Sequence, residues 1–293
     1  MPRLSAIIRT TAREMLSEPL SLLVLIAALA IEVLAPAFHY HQFGEATRMA
    51  RDACFSALYT CGTVFAVFST IRAFRREVES GTLEMALARP VSRTGFFLAK
   101  ALGALVAYAA FAATVFAAGL VMVAGAAIGG VIAQQTGDVA RIYGPCFAAG
   151  VGAIVLPLVA GAALDRFARF RFVPTAFALA LVVSFASAAW FADIRLLSHL
   201  APVAVLIVAA ATVPLAAAAA FSFRFRANGA AAACGIVIAA MLPAMGGYFL
   251  SDDLSGGGVV PWEYVWFAVL ATAPAVIFFL VLGAGFIKGR DAA

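Results

Sequence analysis

Ionisable side chains are scarce in this chain, and their placement decides what chemistry it can do. The densest cluster is RAFRREVESGTLEMALARPVSRTGFFLAK, residues 72–100, with five arginines and three glutamates. Its charges suit ion pairing and docking. No Ser-His-Asp set and no paired-carboxylate arrangement can be defended anywhere, so hydrolytic and acid–base chemistry have no carriers. No GxxxxGK[ST] loop occurs, so there is no phosphate cradle for a nucleotide. His39 and His41, with Glu45 nearby, fall short of a metal site, and Asp252 with Asp253 before a glycine run only loosely suggests a calcium loop. Cys54, Cys61, Cys146 and Cys234 form no CxxC pair. A disulfide between Cys54 and Cys146 is one reading of them; small apolar fillers of spans is the other. Glu32 and Glu263 are carboxylates at the depth or margin of apolar runs. Such residues are functional candidates by default, which makes both substrate-path candidates. Both also fall near the ends of their runs, where a side chain reaches the interface cheaply, and interface anchoring is the first reading.

These residues are positioned by a membrane bundle. The chain is 65% hydrophobic and 12% charged, where soluble domains carry about 25% charged residues. Mean hydropathy is +1.03. The fold class is therefore all-α, a polytopic helical membrane protein. No polar block is long enough to be a separate soluble domain, so residues 1–293 form one transmembrane domain. The net charge of +5 sits mainly in turns between spans and is no nucleic-acid footprint.

Residues 3–18 carry Leu4, Ile7, Ile8, Thr11, Ala12 and Met15 at helical spacing, with Arg3, Arg9, Arg13 and Glu14 opposite. This is the pattern of an interfacial amphipathic helix. Spans are predicted at about 19–38, 53–71, 97–123, 146–164, 173–192, 200–221, 230–250 and 263–287, each near the roughly 20 residues a bilayer needs. Small residues 124–130 lead to an outer loop at 134–145, and Pro202 and Pro214 interrupt the sixth span. Arginine dominates alternate turns, including 165–171 and 222–226. The positive-inside rule then puts loop 72–96 and both termini in the cytoplasm.

Within that loop, Ser80 or Thr82 can cap a short helix, with Glu84 in its first turn where the helix dipole favours an anion. Leu83 and Leu87 share one face, and Pro90 ends the element. Two readings follow: a solvated loop, or a helix whose apolar stripe docks on a soluble partner.

The string EVESGTLE at 77–84, then RPVSR at 89–93 and Lys100 opening the next span, resembles the cytoplasmic loop of type-2 ABC exporter permeases. The resemblance covers about a tenth of the chain; an N-terminal elbow helix, common in that family, extends it to residues 3–18. It implies a permease that is not itself an enzyme, with 72–96 as its coupling loop. Glu77, Glu79, Gly81, Thr82, Leu83, Glu84, Leu87, Pro90 and Arg93 would then face an ATP-binding subunit. That partner would hold ATP and Mg, with no cofactor in this chain. A second permease copy, a bacterial cytoplasmic membrane and no nucleic acid complete the expectation. The family usually has six spans, so the alternative to eight is six plus a re-entrant pair. A secondary transporter would instead show repeat symmetry and buried ion ligands. A membrane enzyme or assembly factor would need ionisable groups clustered at one membrane face. Nothing in the spans selects a substrate.

Overall fold

A computed structural model describes residues 2–34, 46–79, 92–136, 139–224, 232, 234–238 and 260–289. Among these there is no strand. The helices are α1 (Pro2–Leu16), α2 (Pro19–Leu34), α3 (Ala46–Glu79), α4 (Arg93–Thr136), α5 (Val139–Ala168), α6 (Phe172–Phe191), α7 (Ile194–Arg224) and α8 (Trp262–Gly289). The helices α3 to α8 each hold a stretch long and apolar enough to cross a bilayer, and α2 reaches that standard jointly with α1. The chain is thus a multi-pass α-helical membrane protein. Of the eight predicted spans, seven correspond to helices α2 to α8. The remaining one, 230–250, lies mostly outside the described residues; 234–238 are helical.

Helix α1 buries Thr11, Ala12 and Met15 and exposes Arg9 and Arg13, the two faces expected from its sequence. A bend at Ser17–Glu18 separates it from α2. Pro19 starts α2, where its missing N–H is no loss, and the Glu18 carbonyl accepts from Ser21 N at 3.0 Å.

The expected loop at 134–145 is a correction. Helix α4 runs unbroken for 44 residues, about 66 Å at 1.5 Å per residue, against roughly 30 Å of hydrocarbon. The small residues at 124–130 are not a helix end. Gly125 lets α5 approach: a Cβ there would stand 2.6 Å from Cys146 Cβ. Lost helix propensity is offset by close packing. Pro202 and Pro214 likewise lie inside α7 without ending it.

The residues group into two compact units. One comprises 1–15, 63–109 and 205–293. Its core joins Phe74, Phe97, Ala101, Ala219 and Ile287, with Val67, Ile71, Ala218 and Ala232 forming a neighbouring cluster. The other comprises 16–62 and 110–204. There Leu120, Val123 and Ala126 of α4 pack with Ala50 and Leu200, and Ala117 and Val121 pack with Cys146 and Ala188. Helices α3, α4 and α7, and α1 by its last residue, contribute to both units.

Candidate functional site

The first unit contains both roots of the charged segment. On one side α3 continues helical through Glu77 and Glu79, whose side chains are not described. Gly81, Thr82, Leu83, Glu84, Leu87 and Pro90 lie outside the described residues, so the short helix expected there is not seen either way. On the other side α4 opens at Arg93, a half-buried residue. Ser92 is its cap. The Ser92 hydroxyl accepts from Gly95 N at 3.1 Å, and the Ser92 carbonyl accepts from Phe96 N at 2.9 Å. The side-chain bond satisfies a backbone donor that the first turn leaves open. The motif RPVSR thus has a local purpose: proline precedes the helix and serine starts it.

Two turns in, Lys100 is 0% exposed. Its Nζ lies 5.3 Å from the Phe74 ring centroid and 5.9 Å from that of Phe96. A cation over an aromatic face is attracted by the ring quadrupole, more so away from water. Phe74 also meets Phe97 edge-on, centroids 5.6 Å apart at 66°. The last turns of α3 and first turns of α4 are therefore fastened on both sides of the charged segment.

Helix α1 joins the same shoulder. A Cβ on Gly103 would stand 2.7 Å from the Ile8 carbonyl oxygen and 2.8 Å from Thr11 Cβ. Only a glycine admits the α1 backbone there. Gly283 of α8 does the same for Phe97, whose ring would come within 2.5 Å of an added Cβ. Phe96, Lys100 and Gly103 follow at four- and three-residue steps, one face of α4.

The second unit holds the other buried charge. Glu32 is 2% exposed on the face of α2 that also buries Leu25, Ala28 and Leu29. It does not reach an interface, contrary to the anchoring expectation, because α2 turns that face into protein. The Cys54 thiol of α3 adjoins its carboxyl group. Gly119 of α4 closes the cluster, since a Cβ there would stand 3.0 Å from Glu32 Oε1 and 2.9 Å from Cys54 Cβ. One turn above, Gly150 of α5 admits Val33 and Met122. Cys54 and Cys146 are both free thiols; each packs against a glycine of α4, so the disulfide reading is discarded. Glu263 is exposed in the first turn of α8, flanked by exposed Trp262 and Trp266. The histidine pair and the 252–253 pair lie outside the described residues. No group of three metal-ligating side chains occurs among the described ones.

Sequence reasoning placed Lys100 only as the opening of a span and missed Ser92, Gly103, Cys54 and Gly119 as parts of a site. A lysine followed by an uncharged apolar run was the available signal for the first. The helix start after Pro90 was the signal for Ser92. Cys54 was marked only as a disulfide or packing candidate, and nothing marked Gly103 or Gly119.

A family model described as ABC-2 family transporter protein matches residues 17–187, more than half of the chain. The match takes in Glu32, the whole charged segment, Lys100 and the α5–α6 turn. No curated protein matches the chain, and no solved structure does.

Proposed function

The chain belongs to the ABC-2 family of transporter proteins, and from that premise we propose that it is the permease subunit of an ABC transporter, driven by ATP hydrolysis on a separate subunit. ATP and Mg bind that partner, and this chain contributes the pathway and the docking segment. Residues 1–293 act as one permease domain, two copies of the permease enclose the path, and both termini face the cytoplasm of a bacterial cell. Glu77, Glu79, Gly81, Thr82, Leu83, Glu84, Leu87, Pro90 and Arg93 form the contact with the ATP-binding subunit.

The supporting observation is the fastening at the roots of this segment. A push on residues 80–91 meets two helices clamped through Phe74, Phe97 and Lys100, and α1 wedged at Gly103. Force at the segment is then carried into long helices rather than lost in a slack loop. Alternating access requires packed helices that shift as units, and clamped roots of this kind would let them do so.

Glu32 is the substrate-path residue we favour, since it is buried within an otherwise apolar helix. Glu263, at an exposed helix start, is the secondary one.

The test is co-purification of the intact chain with its ATP-binding partner, followed by ATPase and transport assays. Glu84→Lys should leave the membrane fold intact while abolishing the coupling of ATPase to transport. Normal partner binding and transport in that variant would overturn the docking role.

A further inference from the structure

The turn between α5 and α6 carries three arginines and two bare phenylalanines in six residues: Arg166, Phe167, Arg169, Phe170 and Arg171. All are exposed, Phe167 at 84% and Phe170 at 57%. None of the three guanidinium groups forms an ion pair with the described residues. Arg171 is the residue before α6 and makes no side-chain cap hydrogen bond. The backbone reverses at Arg169, φ 55°.

Length fixes the depth of this turn. Helix α6 has 20 residues, about 30 Å, which equals the hydrocarbon thickness. A helix of that length has no residues to spare beyond the hydrocarbon, which argues for Arg171, the residue before it, lying at a boundary. The charge-free run of α5 ends at Leu164, the helix itself ends at Ala168, and residues 169–171 alone join the helices. Three residues span at most about 11 Å. The turn cannot project far into water. A turn this short, next to a helix of hydrocarbon length, lies close to the headgroups. Gly161 packs on Ala176, where an added Cβ would stand 3.2 Å from Ala176 Cβ, so the two helices are held close within about two turns of their link.

We propose that this turn is a headgroup site for anionic phospholipid, with Arg166, Arg169 and Arg171 on the phosphate and Phe167 and Phe170 in the upper acyl region. Guanidinium forks suit phosphate oxygens, and a phenyl ring without a polar tip gains from hydrocarbon and nothing from water. A docked soluble protein is the rival occupant. It would need the turn to stand clear of the membrane, and α6 has no residues beyond those that cross the hydrocarbon to carry it there. The inference needs only that the chain spans a membrane and is independent of the ATP-coupled reading.

The test is fluorescence of Phe167→Trp in the full-length chain, reconstituted in nanodiscs of phosphatidylcholine mixed equally with phosphatidylglycerol. Wild-type emission, from the three native tryptophans, is subtracted. Brominated acyl chains are placed on one lipid at a time. Quenching by brominated phosphatidylglycerol should exceed that by brominated phosphatidylcholine. Replacing all three arginines by glutamine should erase the difference, each arginine accounting for up to about fivefold in lipid preference. The same substitutions by lysine keep the charge that sets topology and should retain most of it. Three outcomes would overturn the proposal: no quenching by either lipid, equal quenching by both in the parent protein, or an undiminished difference after arginine removal. Loss of a soluble partner with lipid preference unchanged would assign the turn to that partner.

Discussion

The ammonium of Lys100 lies 5.3 Å from the centre of the Phe74 ring, and the lysine is wholly buried. This ties the start of α4 to the end of α3 by a charge rather than by apolar contact alone. A lysine so near the end of a membrane helix would ordinarily extend to the headgroups. Here its stem follows the aromatic shoulder inward.

Removing that charge should be tolerated by the fold. Lys100→Met keeps the length and the apolar stem, and apolar replacements of buried charges are often neutral. Stability should change by less than about 2 kcal/mol, the upper range of a desolvated cation–aromatic contact. Lys100→Glu places an anion against two ring faces and should fail to accumulate in membranes. Thermal unfolding in detergent and membrane yield measure both. If Lys100→Glu accumulates at the wild-type level, the contact with Phe74 and Phe96 has no weight.

Gly103 and Gly285 form an internal contrast. Gly103→Ala drives a methyl into the α1 backbone at the Ile8 carbonyl, 2.7 Å away, and it should cost about 1–3 kcal/mol. Gly285→Ala meets nothing within 4 Å and should be neutral or stabilising by up to about 1 kcal/mol, the helix-propensity gain. The melting curve of Gly103→Ala should shift down, and that of Gly285→Ala should stay in place or shift up.

Loss of the Ser92 hydroxyl should loosen the first turn of α4. Ser92→Ala forfeits the bond from Gly95 N and should cost about 1 kcal/mol, with Ser92→Asp close to wild type. Amide exchange at residues 93–97 should speed up in the alanine variant. Unchanged exchange there would remove the cap from the account.

Glu32 should matter for transport more than for folding. Glu32→Gln keeps shape and hydrogen-bonding capacity, so membrane insertion should be normal. If the carboxyl contacts substrate, transport should fall at least about tenfold, the equivalent of about 1.4 kcal/mol. Gly119→Ala should produce a similar loss by displacing the Glu32 carboxyl and Cys54. Wild-type transport in both would reduce the cluster to packing.

Much of this protein is legible without a structure. Runs of twenty apolar residues locate the spans because bilayer thickness sets their length. Arginines mark the turns, and α1 announces its two faces because charged and apolar residues alternate around it. The string EVESGTLE and the serine-bearing turn after it identify the family, which the match over 17–187 then bears out.

The rest was decided by packing, and for a definite reason. A helix such as α2 is apolar on every side, so periodicity cannot say which side faces lipid and which faces protein. Whether Glu32 reaches an interface or is enclosed with Cys54 and Gly119 depends on that rotation alone. The glycines of α4 have the same ambiguity: one glycine in an apolar run reads equally as a helix end or as a seat for a neighbour. Gly103, Gly119 and Gly125 proved to be seats. Sequence dictated which stretches are apolar enough to cross a membrane, because water and hydrocarbon discriminate strongly between residues. Which side chains meet inside the bundle was left to tertiary structure, because lipid and protein interiors look nearly alike to an apolar helix.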